Sequence, residues 1–235
     1  MSSVDEIISN SRAAAAAFRQ LDQEKTDRVV RAVFLASMNH RISLAKLAAE
    51  ETGIVIWQHK VIKNVIASQL VYEDIKNQRT VGVISEDPVT GIIELAQPIG
   101  PILALIPVLN PTSTVIFKSL IAMKTRNPLI LSPTYTCKES ASEASRICYE
   151  AALDAGAPEH CIQWLPKPVL AKTKELMSHH GLAMILATGP GEIVKASYSS
   201  GTPTIPVTRI DSLGRSFQSP SPLPTTSIRD AAATP

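Results

Sequence analysis

Aromatic residues make up only 4% of this sequence: four Phe, four Tyr and two Trp in 235 residues. A core built from it must be aliphatic, drawn from Ala, Ile, Leu and Val. Cysteine is scarcer. Cys137, Cys148 and Cys161 form an odd, scattered set, which argues against a disulfide framework and for reduced thiols in a cytoplasmic protein. Long hydrophobic runs are missing too: no stretch approaches the roughly 20 apolar residues that span a bilayer. The N-terminus shows no basic segment followed by an apolar one, so no secretory signal is expected. Charge of one sign is lacking, with a formal net charge of +2, and this gives no reason to expect nucleic acid or an anionic membrane as partner. Metal-ligand spacing is absent: His179 and His180 are adjacent, and His160-Cys161 has no second pair, so no zinc site is expected. There is no internal repeat and no Ser-His-Asp pattern.

What is present is enough apolar material, 45% of residues, for one large domain or two small ones. Residues 3 to 19 read as a helix, with five consecutive alanines at Ala13 to Ala17. Asp22 can cap a longer helix reaching about Glu51, with Gly53 as its stop. A third helix is expected over 60–76. Together the three predict a helical layer against a sheet. Short strands are expected at 80–84 and 91–97, with Ser85 to Thr90 as the turn. After Ser132 come a helix over 138–155 closed by Gly156, a strand at 161–165, a helix at 170–177, a strand at 183–187, a helix at 192–198 and the start of a strand at 204–207. This alternation predicts α/β class with a parallel, Rossmann-like sheet. From Thr208 the composition turns to Ser, Thr and Pro without apolar periodicity, so 208–235 is expected to be disordered. It reads either as a flexible tail or as an out-of-frame or mis-spliced end.

The most informative stretch runs from Gly91 to Pro133. Ile99 to Ile106 is nearly all apolar, as a strand buried on both faces should be. Pro107 and Pro111 prevent its continuation. Asn110 stands as a helix N-cap with Pro111 at the first helical position. Ile116, Leu120 and Met123 recur at helical spacing, Asn127-Pro128 ends the helix, and Leu129 to Leu131 forms a second buried strand stopped by Ser132-Pro133. The result is a βαβ unit with a polar turn at the carboxyl end of its first strand, the edge where open α/β sheets bind ligands.

The run IPVLNPTSTVIFKSLIAMKTRNPLILSP, with ETG at 51–53, KVIKN at 60–64 and ILATG at 185–189, resembles the CoA-acylating aldehyde dehydrogenases. It is most similar to the aldehyde dehydrogenase half of bifunctional aldehyde/alcohol dehydrogenases. The resemblance spans nearly all of residues 1–207 and stops near Val207. It implies a truncated sheet of the aldehyde dehydrogenase superfamily: residues 1–207 as a partial NAD-binding domain with an N-terminal helical layer. The implied reaction interconverts aldehyde, CoA and NAD+ with acyl-CoA and NADH. The strands near residues 80–97 then lead to an oligomerisation flap, which makes a homo-oligomer one expectation.

By the same resemblance, Ile106, Pro107, Val108, Leu109 and Asn110 contact the nicotinamide side of NAD. Asn110 also serves as oxyanion donor; the residues alone support only a helix cap. Ser132 stands where the family contacts the adenosine ribose, or simply ends a strand. Thr188, Gly189 and Pro190 form the phosphate-side turn, a weak signal as a bare glycine turn. Two departures matter. Thr134-Tyr135-Thr136 replaces a usual His-Pro-Arg run, leaving NAD against NADP open, and Pro190 replaces a second glycine. In the family a cysteine nucleophile forms a thiohemiacetal and then a thioester that CoA attacks. It lies in a separate domain, well beyond the segment matching Tyr198 to Gly201, and here no cysteine follows Cys161. This chain alone is therefore expected to be inactive. The alternatives are a non-catalytic NAD-binding or oligomerisation module, or a truncated fragment without function.

Overall fold

A computed structural model describes residues 3–207; the expectation of a disordered end at 208–235 lies outside the described residues. Three N-terminal helices, α1 (Val4–Phe18), α2 (Gln23–Asn39) and α3 (Arg41–Thr52), precede α4 (Trp57–Val65). A π-helical turn at Ile66–Leu70 joins α4 to α5 (Val71–Ile75). Ser3 and Asp22 cap α1 and α2 through their side chains. Gly53 ends α3 at φ +63, a left-handed conformation that suits glycine.

The single helix expected from Asp22 to Glu51 is two. No Gly or Pro marks the break, because side chains make it. His40 Nδ1 contacts the Ala36 carbonyl at 2.9 Å, and the Arg41 guanidinium donates to the Met38 carbonyl at 2.6 Å. The Ala36 carbonyl still accepts the His40 amide at 3.1 Å, so the ladder of α2 runs up to His40, and the Arg41 side chain then takes the Met38 carbonyl that a continuing helix would use.

The hairpin also differs from expectation. Strands β1 (Gly82–Asp87) and β2 (Ile92–Ala96) pair antiparallel, so Ser85 to Asp87 are strand rather than turn. The turn is shifted because Asp87 organises it, accepting from the backbone of Val89 and Thr90 and from the Thr90 hydroxyl.

The main sheet is parallel, in the order β5-β4-β3-β6-β7, formed by β3 (Ile102–Ile106), β4 (Leu129–Pro133), β5 (Ile162–Trp164), β6 (Met184–Thr188) and β7 (Thr204–Val207). Strand β3 starts later than Ile99, because the Ile99 and Gly100 amides are held by Asn127 Oδ1 instead of a strand neighbour. Connections run through α6 (Pro111–Lys124), α7 (Lys138–Asp154), α8 (Leu170–Met177) and α9 (Gly191–Tyr198). Alternate strand residues enter opposite cores, the period of two at work. Ile102, Ala104, Ile106, Leu129 and Leu131 pack with α2, α6 and α7, whereas Leu103, Leu105, Ile130, Ile185 and Ala187 pack with α1, α8 and α9. Every residue of β3 and β4 is buried. Helix α6 is wrapped on nearly all sides, with Ile116, Leu120 and Met123 fully enclosed. Among the described residues no helix is long and apolar enough to cross a membrane.

Candidate functional site

Strand β3 leads on through α6 to β4 on one side, while β6 lies on its other side. The order therefore reverses between β3 and β6, where open sheets form ligand crevices. The β3–β4 ladder runs to Ile106 and Pro133, but the β3–β6 ladder ends at Ala104 and Leu186. Beyond that point the two strands part. A cleft of about 310 Å³ opens at the fork, walled by Leu105, Ile106, Pro107, Ser132, Pro133, Thr134, Tyr135, the Pro168–Leu170 segment, Thr173, Thr188, Pro190 and Ile193.

The floor of the fork holds a lysine that the sequence pattern did not single out. Lys118, 1% exposed, rises from α6 and donates to the Leu105 carbonyl and the Leu186 carbonyl, both at 2.8 Å. It braces β3 and β6 where their own ladder has ended. Burial lowers its pKa to about 7, because removing an ammonium from water disfavours the charged form.

Five of the residues expected at the cofactor line this cleft: Ile106, Pro107, Ser132, Thr188 and Pro190. The Ser132 hydroxyl is paired with Thr173 Oγ1 at 2.8 Å, so Thr173 of α8 belongs to the site, although nothing in its local pattern marked it. Thr188 Oγ1 is buried and finds no hydrogen-bond partner among the described residues. A buried hydroxyl left in that state is costly unless a ligand completes it. Gly189 permits the turn because a Cβ there would meet Ile193 Cγ2 at 2.8 Å. Pro190 removes no helix donor: it is the N-cap of α9, and its carbonyl accepts from the Ile193 and Val194 amides. The amides of Gly191 and Glu192 remain without partners among the described residues, a helix N-terminus suited to phosphate. Lys195 is exposed, as a solvated charge should be.

Val108, Leu109, Asn110 and Gly189 are not among the cleft walls. Asn110 stands at the N-cap position of α6 but makes no side-chain cap. Its Oδ1 instead accepts from Lys63 Nζ at 2.7 Å, and the Leu109 carbonyl accepts from Lys60 Nζ at 3.3 Å. Lys60 is nearly buried, and its pKa is lowered by that burial and by neighbouring Lys63. Glu51 accepts from the Glu139 and Ser140 amides at 2.8 Å each and so caps α7. The three cysteines are buried. Burial pushes the Cys137 and Cys161 thiols up to about 12 and the Cys148 thiol up to about 11. Among the described residues no group of three or more His, Cys, Asp or Glu could hold a metal ion.

The sequence and the fold point to known proteins. The chain is 44% identical over 201 residues to the bifunctional aldehyde-alcohol dehydrogenase AdhE of Escherichia coli, a match that covers 86% of this chain and 23% of that enzyme. The fold matches an acetylating aldehyde dehydrogenase from Geobacillus thermoglucosidasius with a TM-score of 0.84 and 41% identity, covering 86% of this chain and 44% of that one. An engineered glycolyl-CoA reductase with bound NADP+ matches with a TM-score of 0.76 and 25% identity, over 88% of this chain and 47% of that chain. The chain thus spans under a quarter of the curated relative's length and under half of the solved structures. Residues 1–208 match the aldehyde dehydrogenase family as a whole, and with a forked parallel sheet whose crevice lies at the matching turn, the chain belongs to that family.

Proposed function

We propose that residues 1–207 are the dinucleotide-binding part of an NAD-dependent, CoA-acylating aldehyde dehydrogenase. The observation that carries this reading is the cleft at the β3–β6 fork, with the unpartnered Thr188 Oγ1 in its wall and the free α9 amides beside it. These residues fit a nicotinamide dinucleotide. Thr188 would supply a hydroxyl, the Gly191 and Glu192 amides would face the pyrophosphate, and Ser132 with Thr173 would meet the ribose. When bound, the nicotinamide supplies a hydride acceptor. The apolar walls, Leu105, Ile106, Val169 and Ile193, would pack against it. Asn110 would present an amide donor to an aldehyde oxygen as negative charge develops there. Loss of such a donor typically lowers the rate by about 10²–10³. Thr134 is tied to the Ile106 carbonyl, at 3.0 Å through its hydroxyl and 3.1 Å through its amide, and the Lys138 ammonium lies 4.8 Å from the centre of the Tyr135 ring in the cleft wall.

The whole reaction would join aldehyde, CoA and NAD+ to give acyl-CoA and NADH. This polypeptide by itself does not complete it, since its buried thiols offer no thiolate near neutral pH. The hairpin favours a second, compatible role in self-association: Val89, Ile92, Ile93 and Leu95 are all exposed, Val89 at 91%. Titration calorimetry of the 235-residue chain with NAD+ tests the cofactor reading. Saturable heat, weakened in Thr188→Val, is expected; an absence of heat and of any thermal shift would reject it.

A further inference from the structure

Two lysines on one face of α4 grip the turn that carries Asn110. Lys60 and Lys63 are three residues apart, so they point the same way. Lys60 holds the Leu109 carbonyl, and Lys63 holds Asn110 Oδ1 at 2.7 Å. A lysine ammonium only donates, so the amide end that faces it must be the oxygen. Asn110 Nδ2 therefore points away from Lys63, and it finds no acceptor among the described residues. This accounts for the missing cap. Oδ1, the one side-chain atom able to accept from the first turn of α6, is already engaged. The main-chain carbonyl of Asn110 serves the helix instead, accepting from the Thr114 amide at 3.1 Å and the Ser113 hydroxyl at 3.4 Å. Helix α4 is itself tied down. The Asn64 side chain donates to the Arg41 carbonyl at 3.0 Å and accepts from the Thr112 hydroxyl at 2.8 Å, which anchors α4 to the first turn of α6.

We propose that Lys63 is a positioning residue that locks the Asn110 amide with Oδ1 towards α4 and Nδ2 offered as a donor to a ligand oxygen, a role that rests on the reading of Asn110 given above. The two ends of an amide are nearly equal in shape. An unheld Asn110 could present its carbonyl oxygen to developing negative charge, which would be repulsive. The ammonium removes that orientation. Its charge-assisted bond is roughly twice as strong as a neutral one, and it polarises the amide so that the N–H₂ end donates more strongly.

The contact itself is tested on the 235-residue chain by ¹⁵N relaxation of the Asn110 side chain. The order parameter of Nδ2 should be about 0.85 in the native chain, fall below about 0.6 in Lys63→Met and recover in Lys63→Arg. An Nδ2 equally rigid in Lys63→Met, at an unchanged melting temperature, overturns the proposal. The catalytic consequence is tested by grafting residues 1–207 in place of the matching segment of the Escherichia coli relative. There Lys63→Met should lower kcat roughly tenfold without changing KM for NAD+, and Lys63→Arg should restore it. Asn110→Ala should lower kcat by about 10²–10³, and the double variant should be no slower than Asn110→Ala alone. Effects that multiply would overturn the coupling. A graft in which Asn110→Ala is harmless, together with a positive relaxation result, would instead reject the oxyanion role and leave the lock standing.

Discussion

Cysteine shows how far a single residue's surroundings decide its chemistry. The thiolate is the nucleophile, and burial disfavours it. With the Cys137, Cys148 and Cys161 thiols raised to between about 11 and about 12, the native chain should resist iodoacetamide at pH 8 and take up three labels only when denatured. Rapid native labelling of any one would undo the claim that the chain offers no nucleophile. Lys118 makes a second prediction. Its folded pKa of about 7 lies below the ordinary 10.5, so between those values the unfolded chain binds more protons. Its contribution to stability therefore rises with pH from about 7 to about 10. The thiols push the other way above their ordinary value of 9.0, since the unfolded chain then loses protons that the native one keeps. The difference between native chain and Lys118→Met isolates the lysine. Urea titrations should show that difference growing in favour of the native chain as pH rises from 7 to 9. Lys118→Met itself should be destabilised by about 1–3 kcal/mol, because two buried carbonyls lose their donor.

At the scale of elements, helix starts are completed by residues distant in sequence. Helices α1 and α2 are capped locally by Ser3 and Asp22, three residues before the amide each serves. That relation is readable from the chain, and Asp22 was read so. Helix α7 has no cap of its own and borrows Glu51 from the end of α3. Glu51→Ala should cost about 1–2 kcal/mol, and hydrogen exchange should speed up in the first turn of α7 more than elsewhere. Uniform loss of protection would show that Glu51 supports the global fold instead. The parallel strands β3 and β4 were plain in sequence because burial on both faces leaves continuous apolar runs. The boundary between α2 and α3 was hidden, since neither Gly nor Pro marks it.

For the molecule as a whole, the chain should bind NAD+ yet generate no NADH absorbance with acetaldehyde, CoA and NAD+. The graft onto the Escherichia coli relative should gain that activity. Turnover by the isolated chain would overturn the assignment of its thiols as inert; a folded graft without activity would count against the dinucleotide-binding role. The exposed apolar hairpin predicts self-association that Ile93→Lys weakens, measured by sedimentation of the two chains at equal concentration.

The sequence by itself determined the alternation of helices and parallel strands, the place of the βαβ turn and the scarcity of cysteine, because these follow from local periodicity, from proline's missing donor and from composition. Tertiary structure alone decided which end of the Asn110 amide meets Lys63, which residue caps α7 and what braces the fork. Those outcomes depend on partners 47, 88 and 68 residues apart along the chain. A side chain's hydrogen-bond partner is set by who arrives beside it after folding, and no spacing along the backbone encodes that.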